Sequence, residues 1–375
     1  MEEWKEYKLA DVCSRLRSGK GIKSDSVLDA GPYPVIGGNG IRGYANESNF
    51  KGECAVIGRQ GAYCGNVRFY EGEAYMTEHA VVVVGNELAD TRFLACLLSL
   101  MHLGNLSAQS AQPGISVQTL SKQIVSLPSI DYQKRVSAVI KSLDEKIEVN
   151  RRINDNLEQQ AQALFKSWFV DFEPFKDGEF VESELGMIPK GWRVGTLFDV
   201  AEILDKFRKP LSGKDRESME KIYPYYGATS CMDYVDNYIF DGIYTLIGED
   251  GSVAKENGLP YMQYVWGKLW VNNHAHILQG KNGFSTEMVH VMLSMTNIQH
   301  LVTGAVQAKL SQANMEKILL PIPPSEVLEN IRPNIDKQYE IKRNNEDESR
   351  RLATLRDTLL PKLMSGELIV NEVEI

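Results

Sequence analysis

The feature that most constrains the fold is a long stretch near the middle of the chain that contains neither Gly nor Pro. From Val136 to Trp168, positions separated alternately by four and three residues carry Val, Ile, Leu, Ile, Asn, Asn, Leu, Ala, Leu and Trp. This period predicts a coiled-coil helix. Its only polar members are Asn150 and Asn154, and a buried Asn fixes register because other pairings leave its amide without a partner. A helix over 131–172 would be roughly 60 Å long, which favours a spacer over the alternative, an amphipathic helix packed on one globular core.

Length and composition narrow the class of protein. A chain of 375 residues is long enough for two or more domains. It contains no apolar run long enough to cross a membrane, and its beginning lacks the basic-then-apolar order of a signal peptide. Five scattered cysteines without a Cys-x-x-Cys pair argue against disulfides and zinc, so we expect a cytoplasmic protein. The net charge of −9 argues mildly against a stand-alone nucleic-acid binder, although it averages acidic helices with more basic loops.

Several short segments occur twice, in the same order, at offsets of 188 to 195 residues. The matching pairs are Trp4 and Trp192, Ile57-Gly58 and Ile247-Gly248, His79-Ala80 and His274-Ala275, Ile115-Ser116 and Leu310-Ser311, and Leu127-Pro128 and Ile322-Pro323. Loop insertions would produce such a drifting offset. The sequence therefore predicts an internal duplication.

Local patterns predict the content of the first repeat. The apolar runs Cys54–Ile57 and Ala80–Val84 are bounded by Gly-bearing turns, which is typical of buried strands. A helical pattern covers Arg92–Leu103, and a second short helix begins near Ser116, a suitable N-cap. In the second half, Pro333 is expected to kink or delay a long helix.

The fold class that follows is α+β, with two mixed α/β domains that are each followed by a long helix. The expected boundaries are a first globular domain at 1–130, a spacer helix at 131–172, a linker at 173–188, a second globular domain at 189–324, a second spacer helix at 325–366 and a tail at 367–375. Two such helices can pair as an antiparallel coiled coil around a pseudo-twofold axis.

Four segments carry a resemblance to a known family. Leu143–Asn154, Gln162–Phe172 and Leu355–Leu368 look like the two spacer regions of the specificity subunit of type I restriction-modification systems, and Gln109–Ser116 looks like the motif that closes its first target-recognition domain. The resemblance extends over the whole chain, although its motifs are strong only in the helices.

This resemblance implies a non-catalytic, sequence-specific reader of double-stranded DNA. Each globular domain would read one half of a bipartite, asymmetric target, and the helices would set the spacing. The implied partners are two methyltransferase subunits and two restriction/translocase subunits, without a membrane. No cofactor is expected on this chain, and S-adenosylmethionine is expected on the methyltransferase. The alternative is a non-enzymatic protein-interaction scaffold with two β-rich modules on a coiled-coil arm.

Motifs for catalysis are missing from the sequence. There is no Gly-x-x-x-x-Gly-Lys-Ser/Thr phosphate loop, and no Asn/Asp-Pro-Pro-aromatic motif of an amino-methyltransferase. We therefore assign no catalytic residue and no metal ligand. His274 and His276 alternate as on a strand, and without a neighbouring carboxylate at metal spacing a structural role is favoured. Aromatic pairs such as Tyr225-Tyr226 are interpreted as core more readily than as base-stacking platforms.

Candidate DNA contacts are long polar side chains on Gly-marked loops, because Arg and Lys pair with guanine or phosphate while Asn and Gln pair with adenine. They are Lys20, Lys23, Asn39, Arg42, Arg59, Gln60, Gln109 and Gln112 in the first domain, and Lys206, Arg208, Lys209, Lys255, Asn257, Gln307 and Lys309 in the second. The residues predicted to form the helix-pair or partner interface are Leu143, Ile147, Asn150, Asn154, Leu157, Leu164, Trp168, Phe169, Leu352, Leu355 and Leu359. For Trp168 and Phe169 the sequence leaves open a partner anchor or an internal core.

Overall fold

The computed structural model describes residues 3–107, 113–304 and 307–370. The chain forms two compact units, the first made of Met1–Val149 and Glu348–Ile375 and the second of Asn150–Asp347. Each boundary between the two units falls inside a long helix, so each unit contains a part of both long helices. No helix within the described ranges is long and apolar enough to cross a membrane.

The elements of the first unit begin with a strand and end in a long helix. They are β1 (Lys5–Lys8), β2 (Cys13–Ser18), β3 (Tyr33–Gly37), β4 (Gly40–Ala45), β5 (Phe50–Gly58), β6 (Val67–Met76), β7 (Ala80–Gly85), α1 (Thr91–Leu100), α2 (Val117–Ser121), β8 (Ile124–Leu127) and α3 (Ile130–Phe169), whose second half belongs to the second unit. Asp90 caps α1 and Ser116 caps α2, each by accepting a backbone N–H three residues later. The predicted cap at Ser116 is confirmed.

Six strands of the first unit form one sheet in the order β2-β7-β5-β6-β3-β4, in which only the β3–β6 pair is parallel. A separate pair joins β1 to β8. The predicted apolar runs lie in β5 and β7, which are neighbours in this sheet. Both strands are buried on two faces, because Ile57 and Val83 pack in the core formed with α1 and α3 while Val56 and Val82 pack on the opposite face. This explains why they read as continuous rather than alternating apolar runs.

The second unit repeats this topology with different residues. Its elements are β9 (Phe180–Ser183), β10 (Gly186–Pro189), β11 (Arg193–Thr196), α4 (Leu197–Val200), β12 (Ala201–Ile203), α5 (Gly213–Glu217), β13 (Tyr223–Tyr226), β14 (Cys231–Val235), β15 (Phe240–Gly248), β16 (Met262–Val271), β17 (Ala275–Gly280), α6 (Thr286–Ser294), α7 (Gln312–Met315), β18 (Leu319–Ile322) and α8 (Ser325–Ser365). The sheet order is β12-β17-β15-β16-β13-β14, again with one parallel pair, and β11 pairs with β18. Strand for strand, this is the order of the first unit. The β9–β10 hairpin lies in the predicted linker.

Residues of α3 and α8 contact each other within each unit. In the first unit, Asp144 accepts a 2.7 Å hydrogen bond from Arg356, and Lys146 lies 3.2 Å from Glu348. In the second, Lys342 donates to Glu158 at 2.7 Å. Residue numbers fall along α8 as they rise along α3, so the helices run antiparallel where they touch. A coiled coil over their full length stays a prediction.

The two polar residues of the seam are buried in the second unit. Asn150 donates to the backbone oxygen of Asn345 at 3.3 Å, and Asn154 donates to that of Lys342 at 3.1 Å. Asn345 in turn donates its side-chain amide to Asn154 at 2.9 Å. The amides therefore match polar groups of α8 at one register, as the sequence predicts.

Pro333 does not delay α8, which begins eight residues earlier at Ser325. A proline inside a helix removes one backbone hydrogen bond. Here Ile331 and Ile335, on either side of it, are both fully buried in the core of the second unit. Tertiary packing therefore outweighs the local cost, which the sequence pattern does not measure.

We predict that Asn154→Ala lowers the free energy of unfolding by about 1–3 kcal/mol, because the buried Asn154 amide no longer bonds to the half-buried amide of Asn345 and the carbonyl of Lys342. The measurement is chemical unfolding of the full chain. Asn156→Ala is the control, since this side chain is exposed and only accepts from Gln160 on its own helix. Equal losses for both variants would show that the buried amide contributes nothing particular.

A buried polar group connects α6 and α8 to the sheet of the second unit. Glu287 accepts hydrogen bonds from Tyr264 at 2.8 Å and from Arg343 at 2.6 Å. His290 is buried nearby, 3.2 Å from the hydroxyl of Thr245. Burial, together with the positive charge of Lys342, lowers the pKa of His290 to about 4, although Glu158 opposes the change.

This lowered pKa predicts acid sensitivity. In the unfolded chain a His protonates near pH 6.5, whereas His290 in the folded protein stays neutral down to about pH 4. Protonation therefore favours the unfolded chain between these values, and the free energy of unfolding falls as the pH drops from about 6.5 towards 4. Between about pH 7 and pH 5 the loss from this residue should be about 2 kcal/mol. Thermal unfolding of His290→Gln should therefore depend less on pH than that of the wild type. Identical pH profiles for His290→Gln and the wild type would refute the prediction.

Candidate nucleic-acid interface

In the first unit, several loops meet around the turn that joins β6 to β7. The amide of Lys20 donates to Met76 at 2.9 Å, and that of Arg59 donates to His79 at 2.9 Å. Gly61 donates to Pro113 at 3.0 Å, which brings the loop after β5 next to the segment before α2. Arg68 donates to the side chain of Asn39 at 3.1 Å. We call these segments, 19–23, 37–42, 58–68, 76–80 and 113–116, the first loop cluster.

The same backbone contacts recur in the second unit. Glu249 donates its amide to His274 at 2.9 Å and accepts from the amide of Leu310 at 2.8 Å, as Arg59 does with His79 and Ile115. Gly251 donates to Ala308 at 2.9 Å. We call the segments 204–209, 248–261, 272–277 and 307–312 the second loop cluster. The backbone is conserved between the units, while Glu249 stands where the first unit has Arg59.

That Glu249 belongs to a buried network of charges. Arg208 donates to Glu249 at 2.6 Å and to the backbone oxygen of Ala275 at 2.7 Å, and it lies 3.3 Å from Asp205. Asp205 also lies 2.5 Å from Nδ1 of His276, whose Nε2 is 2.7 Å from the oxygen of Leu310. Burial alone would raise the pKa of Asp205, but the hydrogen bond and charge of His276, the amide of Ile277 and the charge of Arg208 together lower it. This carboxylate is therefore held ionised inside the protein.

Sequence reasoning missed this network. Asp205, Glu249 and His276 offer three possible metal-ligand atoms within 4.8 Å of one another, but they are 27 to 71 positions apart in the chain and no metal-spacing motif connects them. Arg208 and Lys309, the latter 3.6 Å from Glu249, already balance the two carboxylates. These charges join neighbouring loops to one another, and we call Asp205, Arg208, Glu249 and His276 the brace. The structural role expected of His276 is consistent with its position.

Comparison with known proteins identifies the family. The sequence model described as "Type I restriction modification DNA specificity domain" matches residues 1–159 and 189–343. The chain belongs to this family. The two matches are the two repeats found in the sequence, so the internal duplication and the resemblance are both confirmed.

Individual relatives agree with this assignment. The chain is 37% identical to the EcoprrI specificity subunit of Escherichia coli over 38% of its own length and 36% of that protein's, so it spans about a third of this relative. It is 29% identical to the MjaIX specificity subunit of Methanocaldococcus jannaschii over 72% of its length and 67% of the relative's. Both relatives carry the name of a specificity subunit, and membership of this family fits the expectation that the chain is not itself an enzyme.

A solved structure shares the fold. The crystal structure of the S subunit from M. genitalium matches 99% of this chain and 97% of its own, with a TM-score of 0.61 and 16% identity. The α+β class with two sheet domains and long helices is confirmed by this likeness.

The predicted DNA contacts occupy different environments in this family member. The exposed ones are Lys20, Lys23, Asn39, Arg42, Gln60, Lys206, Lys209, Lys255, Asn257, Gln307 and Lys309. Arg59 is half-buried, and Arg208, whose side chain is 12% exposed, lies in the brace. Gln109 and Gln112 lie outside the described residues. Apart from these two, all lie on the two loop clusters, and their contact with DNA stays a prediction.

The predicted interface residues of the helices divide into three groups. Asn150, Asn154 and Phe169 are buried; Leu143, Ile147, Leu157, Leu164, Trp168, Leu352 and Leu359 are half-buried; and Leu355 is exposed. Phe169 stacks on Phe165 at 4.4 Å and meets the edge of Trp192, and Trp168 contacts the edge of Phe175. Of the two alternatives left open by the sequence, internal core is the one that the burial of Phe169 fits. Tyr225, also interpreted as core, is 2% exposed.

The brace makes a sharp prediction about two neighbouring cations. Arg208→Met should destabilise the protein by about 3–5 kcal/mol, because it removes the main cation beside the buried carboxylate of Asp205 and the largely buried carboxylate of Glu249. Lys209→Met, at an exposed position, should change stability by less than about 0.5 kcal/mol. Chemical unfolding of both variants measures the difference. If the Arg208 variant is as stable as the wild type, the network is not a brace.

Proposed function

We propose that this chain is the non-catalytic, sequence-reading subunit of a type I restriction-modification complex and that it binds a bipartite, asymmetric target in double-stranded DNA. Each loop cluster would contact one half-site. The observation that carries the proposal is that both units use one strand order and one set of loop contacts, yet present different side chains, such as Arg59 in one and Glu249 in the other. Two readers with one backbone and different chemistry suit two different half-sites.

The same proposal names the partners. Two methyltransferase subunits, which would bind S-adenosylmethionine, and two restriction/translocase subunits would supply the chemistry, in the cytoplasm. We assign their contacts to the long helices, where Val149, Ile153 and Leu355 are apolar and between 41% and 47% exposed. Exposed apolar side chains on an otherwise polar helix are suited to a protein interface.

The test is to produce the chain together with the methyltransferase of the same system and to map methylated adenine in plasmid DNA. The expected result is one motif made of two different half-sites separated by a fixed number of unread base pairs. A control with the methyltransferase alone should show no methylation at that motif. Methylation without any shared motif, or a stable complex that binds no DNA, would refute the proposal and favour a protein-interaction scaffold.

The helices supply a further prediction, that they set the distance between half-sites. Inserting one heptad into both α3 and α8 adds about 10 Å, or roughly three base pairs of rise. The same two half-sites should then be methylated with a longer gap, because seven residues keep the apolar seam in phase. Methylation mapping gives the gap directly.

The matched control is an insertion of three residues in each helix, which rotates the seam and should weaken assembly instead of changing the gap. An unchanged gap in a well-assembled heptad variant would show that the helices do not set the spacing.

A further inference from the structure

One exposed aromatic side chain stands in the second loop cluster. Phe207 is 48% exposed and follows β12 within the segment 205–209, Asp-Lys-Phe-Arg-Lys. Single exposed apolar residues are normal on protein surfaces, so exposure alone indicates nothing. The way in which the chain holds this residue is what distinguishes it.

The backbone on both sides of Phe207 is fixed by hydrogen bonds. Before it, the amide of Leu204 donates to the backbone oxygen of Ile277 at 2.9 Å, and the amide of Ile277 donates to the side chain of Asp205 at 3.0 Å. After it, Arg208 is held in the brace, and the oxygen of Lys209 accepts from the indole of Trp270 at 2.6 Å. Burying charges costs desolvation energy. The protein thus supports a rigid segment whose central side chain is left in solvent.

The side chains beside Phe207 are cations. Lys206 and Lys209 are exposed, and the ammonium group of Lys206 lies 4.9 Å from the centroid of the Phe207 ring. Among the residues that the structure describes, no carboxylate lies within ion-pair distance of either ammonium group. Two lysines without a carboxylate partner, one before and one after an exposed aromatic residue in the chain, match a polyanion that also presents flat apolar faces. Nucleic acid has this combination, since lysines pair with phosphates and rings stack on bases.

We propose that Phe207 contacts DNA with its ring, against a base of the half-site read by the second unit, and that Arg208 positions it without touching DNA. This inference rests on the proposed function. It adds an aromatic residue to the candidate DNA contacts, which were chosen as side chains able to form hydrogen bonds. A pre-organised ring loses little conformational entropy on binding. Apolar side chains that insert at base steps deform the duplex and read its deformability instead of its hydrogen-bonding edges.

The contact belongs to one half-site only. In the first unit, the strand that corresponds to β12 is β2, and it is followed by Gly19-Lys20-Gly21 with no aromatic residue before Tyr33. Gly19 is packed so tightly that an added Cβ would lie 2.1 Å from the oxygen of Met76. At this position the duplicated fold therefore offers a ring in the second loop cluster and a lysine in the first.

The experiment uses the complex of the full chain with its methyltransferase and a duplex carrying the motif found by methylation mapping. Affinity is measured over a range of salt concentrations for Phe207→Ala, Phe207→Tyr and Lys209→Ala. Phe207→Ala should weaken binding by about tenfold or more without changing the salt dependence, whereas Phe207→Tyr should bind like the wild type. Lys209→Ala should reduce the slope of log K against log salt by about one. Phe207→Leu, apolar and non-aromatic, separates stacking from simple apolar contact.

An abasic scan locates the contact. In this scan, duplexes that each lack one base are compared with the intact duplex. At one position in the second half-site, loss of the base should weaken binding by the wild type but should not further weaken binding by Phe207→Ala. Met187→Ala, which removes another exposed apolar side chain, 55% exposed on β10, should bind like the wild type. Unfolding temperatures and assembly of each variant exclude indirect effects.

Two kinds of failure can be told apart. If Phe207→Ala binds within twofold of the wild type, or if its coupling falls in the first half-site, the assignment of Phe207 is overturned while DNA recognition stands. If the wild-type complex itself shows no preference for the mapped motif over an unrelated duplex, the proposed function fails, and this inference fails with it.

Discussion

Each unit depends on covering the apolar face of α3 with residues that lie far away in the chain. Tyr132, Val136 and Ile140 pack with Leu363 in the first unit, and Phe165 packs with Tyr339 in the second. An isolated amphipathic helix is marginal in water, so most of its stability must come from such packing. The first unit is completed by a segment that is synthesised much later, which makes it discontinuous in sequence, whereas the second unit is one continuous stretch whose helical parts lie at its two ends.

The duplication separates what holds the sheet from what the loops present. Strand pairing relies on backbone groups and on a buried apolar face, and both tolerate wide changes in side chains. The two sheets thus keep the same order while Arg59 in one loop cluster is replaced by Glu249 in the other. The replacement changes the local chemistry, because Glu249 pairs with Arg208, which is largely removed from solvent, and lies 3.6 Å from the exposed Lys309. A single scaffold can in this way carry two recognition surfaces.

Buried charges appear where geometry matters more than stability. The brace around Asp205 fixes the segment that carries Phe207, and Glu287 with Arg343 fixes α8 against β16 and α6. Apolar residues of similar volume would often be as stabilising, but they would not define the direction of each element as narrowly. Both networks join residues from at least three elements, so removing one member should disturb several loops or helices together.

The sequence by itself determined the elements and their repetition. The long helix indicated by the heptad pattern, the strands at Cys54–Ile57 and Ala80–Val84, the cap at Ser116 and the collinear repeats rest on local or periodic signals, and the structure and the family comparison confirm them. Only the tertiary structure decided which polar side chains are free. Arg208 and Lys209 are neighbours of the same charge, yet one is buried against Glu249 and the other is exposed, because the partners that select between them come from strands distant in the chain. Pro333 shows the same limit, since the burial that offsets its cost in α8 is a property of the folded core.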